Sequence, residues 1–185
     1  MKSLALLLLR LVTGAFLAGH GAQKLFGSFG GHGLKGTAGW LESTGLKPGK
    51  TWALLGGGSE FTGGLLLVLG FLNPVGSLAA LGAMGMASTK FHWGKPIWVT
   101  SGGAELPVTN MAVATAIALA GPGKYSLDRA FGIKLPRWIF PVGLVITAAS
   151  IGYGLFISAK PQTNLVPEKA AGAELQAGEE AAHDL

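Results

Sequence analysis

The sequence contains no cysteine among its 185 residues. Disulfides, thiolate catalysis, iron–sulfur clusters and covalently attached c-type haem all require cysteine, so this chain cannot provide any of them. A sulfur-based electron relay would therefore have to belong to a partner protein.

Charged residues are also scarce. They form 12% of the sequence, against about 25% in an ordinary soluble domain. Glycine, in contrast, contributes 31 residues. Low charge with abundant glycine is typical of membrane helices that pack closely. The formal net charge of +5 is scattered. It gives no basic arm for nucleic acid and instead favours loops that lie beside anionic lipid.

Five apolar segments predict an all-α bundle of transmembrane helices. They are residues 3–26, 52–72, 75–93, 106–120 and 138–157. The fourth is shorter than the about 20 residues that cross a bilayer, so it would pack inside the bundle or begin in the interface. We expect a four-helix core over residues 1–130 and an additional span within residues 131–158. Residues 159–185 have no apolar periodicity and predict a solvated, disordered tail.

Two connections carry structural signals of their own. Asn73-Pro74 is a turn dipeptide and predicts a tight antiparallel hairpin between the second and third spans. Residues 27–51 form a long glycine-rich loop, in which residues 37–44 could form a short interfacial helix that ends at Gly45. We refer to the membrane side that holds this loop as the loop end of the bundle.

Glu60 is the one charged residue in the second apolar segment. A charge near the bilayer centre costs at least about 2.5 kcal/mol, so such residues usually face a partner or a cavity and mark function. The structural alternative is an ion pair that merely holds two helices together. We predict Arg10 as the partner of Glu60, because its long side chain can reach along the helix. Arg10 shares one face of the first helix with Gly14, Gly21 and Lys24.

Alternation of the spans gathers further polar and aromatic residues at the loop end. The candidate residues for proton exchange are Glu60, His20 and Glu105, with Arg10 as the counter-charge. The candidate cofactor-binding residues are His92, Trp52, Trp93 and Lys24. We expect His20, Glu60, His92 and Glu105 to border one cavity.

Two histidines on different helices raise the question of haem. His20 and His92 could ligate a b-type haem from the same membrane side. Lone histidines near helix ends more often bond to backbone or lipid headgroups, which argues against haem. No metal-ligand spacing is present elsewhere in the sequence.

Several short strings together resemble one family of membrane proteins. They are Leu8-Leu9-Arg10-Leu11-Val12, His20-Gly21-Ala22-Gln23-Lys24-Leu25-Phe26-Gly27, Gly30-Gly31, Gly36-Thr37-Ala38, Glu60 with Gly63-Gly64, Glu105-Leu106-Pro107, and Gly121-Pro122-Gly123-Lys124-Tyr125-Ser126-Leu127-Asp128. Over roughly residues 4–130 the chain resembles the DoxX family.

The resemblance implies a bacterial or archaeal cell-membrane protein that crosses the bilayer several times. Some members of the family are linked to quinone-coupled oxidoreduction, including a membrane subunit of thiosulfate:quinone oxidoreductase, and others to redox-stress complexes. We therefore expect a quinone-linked subunit with an intramembrane polar site around Glu60. Quinone would be its ligand, and a soluble or membrane-bound redox partner would supply the electrons. The other partners are the lipid bilayer and, as a further option, a second copy of the chain.

The chain departs from the family pattern by its fifth span and tail. Because it also lacks cysteine, direct thiosulfate chemistry is disfavoured. The alternative from another functional class is a non-enzymatic membrane scaffold or a small-solute conduit, with the polar residues lining a cavity.

Overall fold

The computed structural model describes residues 1–159, and the regular structure of these residues is entirely helical. The α-helices are α1 (Lys2–Phe26), α2 (Gly33–Ser43), α3 (Gly49–Leu69), α4 (Val75–Phe91), α5 (Glu105–Ala120), α6 (Leu127–Ala130) and α7 (Ile139–Ala159). Short 3-10 turns lie at Ser28–Gly30 and Val99–Ser101.

Each predicted apolar segment forms one of the five longer helices, so the prediction of a helical membrane bundle is confirmed. Helices α1, α3 and α7 are long and apolar enough to cross a bilayer. Helix α4 has 17 residues and α5 has 16, so the number of crossings stays a prediction. The predicted tail, apart from Ala159, lies outside the described residues.

Glycines end the two central helices. Gly27 follows α1 with a φ of 74° and Gly70 follows α3 with a φ of 61°, and only glycine adopts this left-handed conformation without a steric penalty. The turn at Asn73-Pro74 then leads into α4, as predicted. The predicted interfacial helix at residues 37–44 is α2, which begins four residues earlier, at Gly33, and ends one residue earlier, at Ser43.

Helices α1 and α3 run antiparallel and approach each other through glycines. A methyl group added to Gly64 would lie 2.4 Å from the backbone nitrogen of Ala18, and one added to Gly21 would lie 2.3 Å from that of Phe61. Distances this short leave no room for a side chain at either position. Small residues therefore set the spacing of the two helices, as is common where packing rather than hydrophobic burial drives association in lipid.

The remaining helices extend this pair into a bundle. The main core joins α1, α3, α4 and α5, and its buried members are Leu17, Leu67, Ala80, Leu81, Met84, Ala114 and Ile117. Helix α7 packs parallel to α4, because Gly143 lies against Leu78 at one end and Gly154 against Met86 at the other. The bundle thus has a loop end, with α2, and an opposite end that holds the starts of α1, α4 and α7.

Packing at Gly64 should be essential for stability, whereas Gly58 on the same helix has no atom within 4 Å of the position a methyl group would take. We expect Gly64→Val to lower the free energy of unfolding by about 1–3 kcal/mol through overpacking. Gly58→Val is the matched control, because it makes the same change in helix propensity without the clash. Thermal unfolding in detergent measures both, and equal losses would contradict the close packing of α1 on α3.

Candidate functional site

Glu60 pairs with Lys24. Nζ of Lys24 donates to both carboxylate oxygens of Glu60. The side chain of Glu60 is 4% exposed, and that of Lys24 is 36% exposed. The prediction that Arg10 is the partner of Glu60 is therefore wrong, although the expectation that Glu60 faces a helix partner is correct.

The register of α1 against α3 explains this outcome. A methyl group on Gly57 would lie 3.1 Å from Cβ of Lys24, so Lys24 stands less than one turn from Glu60. Arg10, in contrast, bonds to the backbone of Leu67, which is seven residues, or about 10 Å, further along α3. A lysine side chain that is partly exposed at the loop end can neutralise the carboxylate while part of its length stays in a polar environment.

Arg10 is buried and binds backbone carbonyl groups. Its guanidinium donates through Nε to Leu67 O at 3.0 Å and through Nη2 to Val68 O at 3.3 Å and Tyr125 O at 2.7 Å, and Nη1 donates to Pro122 O. Two of these carbonyls belong to the last turn of α3, where the helix dipole favours a cation. Arg10 therefore joins α1 and α3 to the loop that follows α5.

Asp128 completes this second polar site. Its carboxylate accepts from Leu72 N at 2.7 Å and from Asn73 N at 2.9 Å, and its own backbone nitrogen donates to Gly70 O at 3.1 Å. The carboxylate thereby satisfies the backbone of the turn between α3 and α4. Together, Arg10 and Asp128 fasten residues 121–128 onto the end of the bundle opposite the loop end.

A small cavity lies beside Arg10. Its accessible volume is about 10 Å³, and Ser77 forms part of its lining. The hydroxyl of Ser77 is buried and has no hydrogen-bond partner within residues 1–159. A space of this size holds about one water molecule, which would satisfy that hydroxyl.

A much larger groove of about 710 Å³ opens along α1 at the loop end. Its aromatic wall consists of Phe16, Phe26, Phe29 and Phe61. Its principal polar residues are His20 and Gln23, and Nδ1 of His20 lies 3.0 Å from Oε1 of Gln23. The amide nitrogen of Gln23 donates to Phe29 O at 3.3 Å. If Oε1 accepts from Nδ1, then Nε2 of His20 is available to a ligand.

The residues of the ion pair are chain neighbours of residues that line this groove. Gln23 and Phe61 line the groove, and their chain neighbours Lys24 and Glu60 form the pair. Lys24 also follows His20 by four residues, which places both on one side of α1. The pair therefore lies next to the groove along α1 and α3, although neither of its residues lines the groove.

The other predicted site residues lie elsewhere at the loop end. Nδ1 of His92 is 2.6 Å from Gly102 O, and Glu105 accepts from Val99 N at 2.9 Å, so both hold the connection between α4 and α5. Trp52 packs against Gly154 of α7, and Trp93 is 82% exposed. The groove at His20 is not shared with Glu60, His92 or Glu105, so the prediction of one common cavity is wrong. Within residues 1–159 no cluster of three His, Asp or Glu side chains could hold a metal ion.

The sequence analysis missed the phenylalanines and Asp128. Phe16, His20, Gln23 and Phe26 recur at intervals of three or four residues, which is the spacing of one helix face. That spacing is a usable signal for the part of the groove that α1 contributes. Phe61 comes from another helix. Phe29 lies in the turn after α1, where its own φ is 53°. No local sequence pattern indicates either residue.

These features define a class: a helical membrane protein in which a buried carboxylate is paired with a lysine next to an aromatic groove. Residues 5–93 match the DoxX family model, and this stretch of the chain is a DoxX-family domain. The match covers α1 to α4 and both groove-lining helices. No curated protein and no solved structure matches the chain.

The ion pair should give measurable coupling. Lys24→Met leaves the buried carboxylate of Glu60 without its cation, which should cost about 1–3 kcal/mol or more of unfolding free energy. Adding Glu60→Gln should recover part of that loss, because no unpaired charge remains. Thermal unfolding of the two single variants and the double variant measures the coupling. The stability losses from Arg10→Met and Glu60→Gln should simply add. Coupling between Arg10 and Glu60 would contradict the assignment of Lys24 as the partner of Glu60.

The planar guanidinium geometry of Arg10 should matter for stability as much as its charge does. Lysine cannot reach carbonyls on two sides at once, so Arg10→Lys leaves at least two acceptors without a donor. Hydrogen bonds to charged groups contribute about 1.5–3 kcal/mol each, so we expect a loss of at least about 3 kcal/mol. Arg10→Met provides the comparison without charge. Full stability of Arg10→Lys in thermal unfolding would mean that charge alone is required.

Proposed function

We propose that this chain is a cell-membrane subunit of a quinone-linked oxidoreductase or redox-stress complex, with the groove at His20 as the quinone site. The observation that carries the proposal is the groove itself. It offers phenylalanine rings for a flat apolar headgroup, and His20 and Gln23 for the ring oxygens. Binding sites for such ligands combine an apolar wall with a few placed polar groups.

His20 would exchange protons with the bound ligand. Quinone reduction takes up protons and quinol oxidation releases them, and imidazole can do either near neutral pH. With Nδ1 donating to Gln23, Nε2 would donate to a quinone oxygen when the imidazole is protonated and would accept from a quinol hydroxyl when it is neutral. Lys24 and Glu60, next to His20 on the loop-end side, would pass protons between the groove and the aqueous surface. The electrons would come from a partner subunit or its cofactor.

This proposal narrows the set of functional residues. His20, Gln23, Lys24 and Glu60 carry it, and the phenylalanines replace Trp52 and Trp93 as the ring-binding wall. Arg10 and Asp128 hold the opposite end together, and His92 and Glu105 hold a loop. Their roles in this proposal are structural.

A non-enzymatic scaffold is the second candidate. The ion pair favours it, because Glu60 is neutralised by Lys24 inside the protein and needs no ligand to be stable. On that interpretation the groove would hold only lipid chains, and the polar residues would serve packing. Quinone binding separates the two functions.

The test is a titration of the purified protein in nanodiscs with decylubiquinone, read out as an increase in thermal stability. We expect saturable stabilisation of the unaltered protein. His20→Leu removes the hydrogen bond to the ring oxygen and should raise the dissociation constant about tenfold, the equivalent of about 1.4 kcal/mol. His32→Leu is the matched control, because His32 is exposed and does not line the groove.

Turnover in native membranes provides the second measurement. With each variant at normal abundance, His20→Leu and Glu60→Gln should lower quinone reduction, and His32→Leu should not. Equal binding by His20→Leu and His32→Leu, with unchanged turnover in Glu60→Gln, would reject the quinone site in favour of the scaffold.

A further inference from the structure

The end of the bundle opposite the loop end carries exposed basic residues with little opposing charge. We name this set the basic collar, and its members are Lys2, Lys124, Arg129, Lys134 and Arg137, all of which are exposed. Lys2 belongs to it because the neighbouring Ser3 packs against the position a side chain would take on Gly123. The collar therefore combines the start of α1 with the connection between α5 and α7.

The acidic residue at this end does not offset the collar. Asp128 is 4% exposed and uses its two carboxylate oxygens for the backbone of Leu72 and Asn73. The loop end is different, because the exposed carboxylate of Glu42 lies among its lysines. Among the described residues, the collar is thus a surface of one sign.

Exposed aromatic residues are interleaved with the collar. Tyr125, Phe131 and Trp138 are 59%, 70% and 62% exposed, and Trp138 immediately precedes α7. Aromatic rings of this kind concentrate at the boundary between headgroups and acyl chains. Rings at that depth would place the cations at the same helix ends level with the lipid phosphates.

We propose that the basic collar binds the phosphate headgroups of anionic phospholipids. Charge complementarity supports this partner, because clusters of four or more basic residues next to membrane helices attract anionic lipid. The cations stand at the ends of apolar helices, so the nearest anions are those of the surrounding leaflet. The proposal rests on the fold and the surface charge, and it is independent of the quinone site.

The test uses the full chain reconstituted into vesicles of equal parts phosphatidylcholine and phosphatidylglycerol. After gentle extraction, mass spectrometry measures how far phosphatidylglycerol is enriched among the retained lipids. We expect enrichment by the unaltered protein. In a variant with Lys124, Arg129, Lys134 and Arg137 changed to Gln, the enrichment should fall by at least about fivefold, which is roughly the effect of one surface cation.

The matched control removes the same charge from the loop end. It changes Lys35, Lys47, Lys50 and Lys95 to Gln, all of which are exposed, and it should keep the enrichment. Equal losses in the two variants, or none in the collar variant, would overturn the proposal. If the collar variant does not fold, the pair Lys134→Gln and Arg137→Gln and a salt titration of the unaltered protein replace it. Enrichment that salt does not reduce would equally contradict the proposal that the collar binds anionic lipid.

Discussion

The close approach of α1 and α3 is the constraint on which both polar sites depend. A glycine stands on at least one side of each of these contacts, at Gly14, Gly21, Gly57 and Gly64, so the two helices approach closely. This spacing brings Lys24 to Glu60 at one end and the guanidinium of Arg10 to the last carbonyls of α3 at the other. Neither polar contact would survive a wider separation, because each bridges the two helices directly. In lipid, where apolar surface gains nothing by association, such packing and polar contacts are what hold helices together.

The two buried charges are satisfied in different ways. Glu60 is neutralised by an opposite charge, and Lys24 keeps about a third of its side chain exposed, so the pair retains contact with the loop-end surface. Arg10 is 1% exposed and is satisfied mainly by backbone carbonyls, with Asp128 at the same end of the bundle. A pair that reaches the surface can exchange protons, whereas a guanidinium held by four carbonyls cannot be deprotonated in a protein. In the proposed function, this difference places proton exchange at the loop end and a stabilising role at the opposite end.

The helices could be predicted from the sequence, because length and hydropathy are local properties. The hairpin at Asn73-Pro74 and the short helix in the first loop were likewise encoded by local turn and glycine signals. The partner of Glu60 could not be predicted in the same way. Arg10, Gly21 and Lys24 share a face of α1, so the choice between Arg10 and Lys24 depends on the register against α3, which the glycine contacts set. The common cavity failed for a similar reason, since His92 and Glu105 bond to a loop whose path no periodicity indicates. Phe61 reaches the groove only once α3 is packed on α1.

The position of the groove bears on how a ligand would reach it. Phe16 is 68% exposed and Phe29 is 80% exposed, so the aromatic wall faces outward rather than into the bundle. An apolar molecule dissolved in the bilayer can enter such a groove sideways, without a channel through the protein. The ion pair, in contrast, has Lys24 as its partly exposed member at the loop end. In the proposed function, the ligand and its protons would therefore arrive by separate routes that meet at His20. The proposed function gives this separation of routes a role, whereas the scaffold interpretation gives it none.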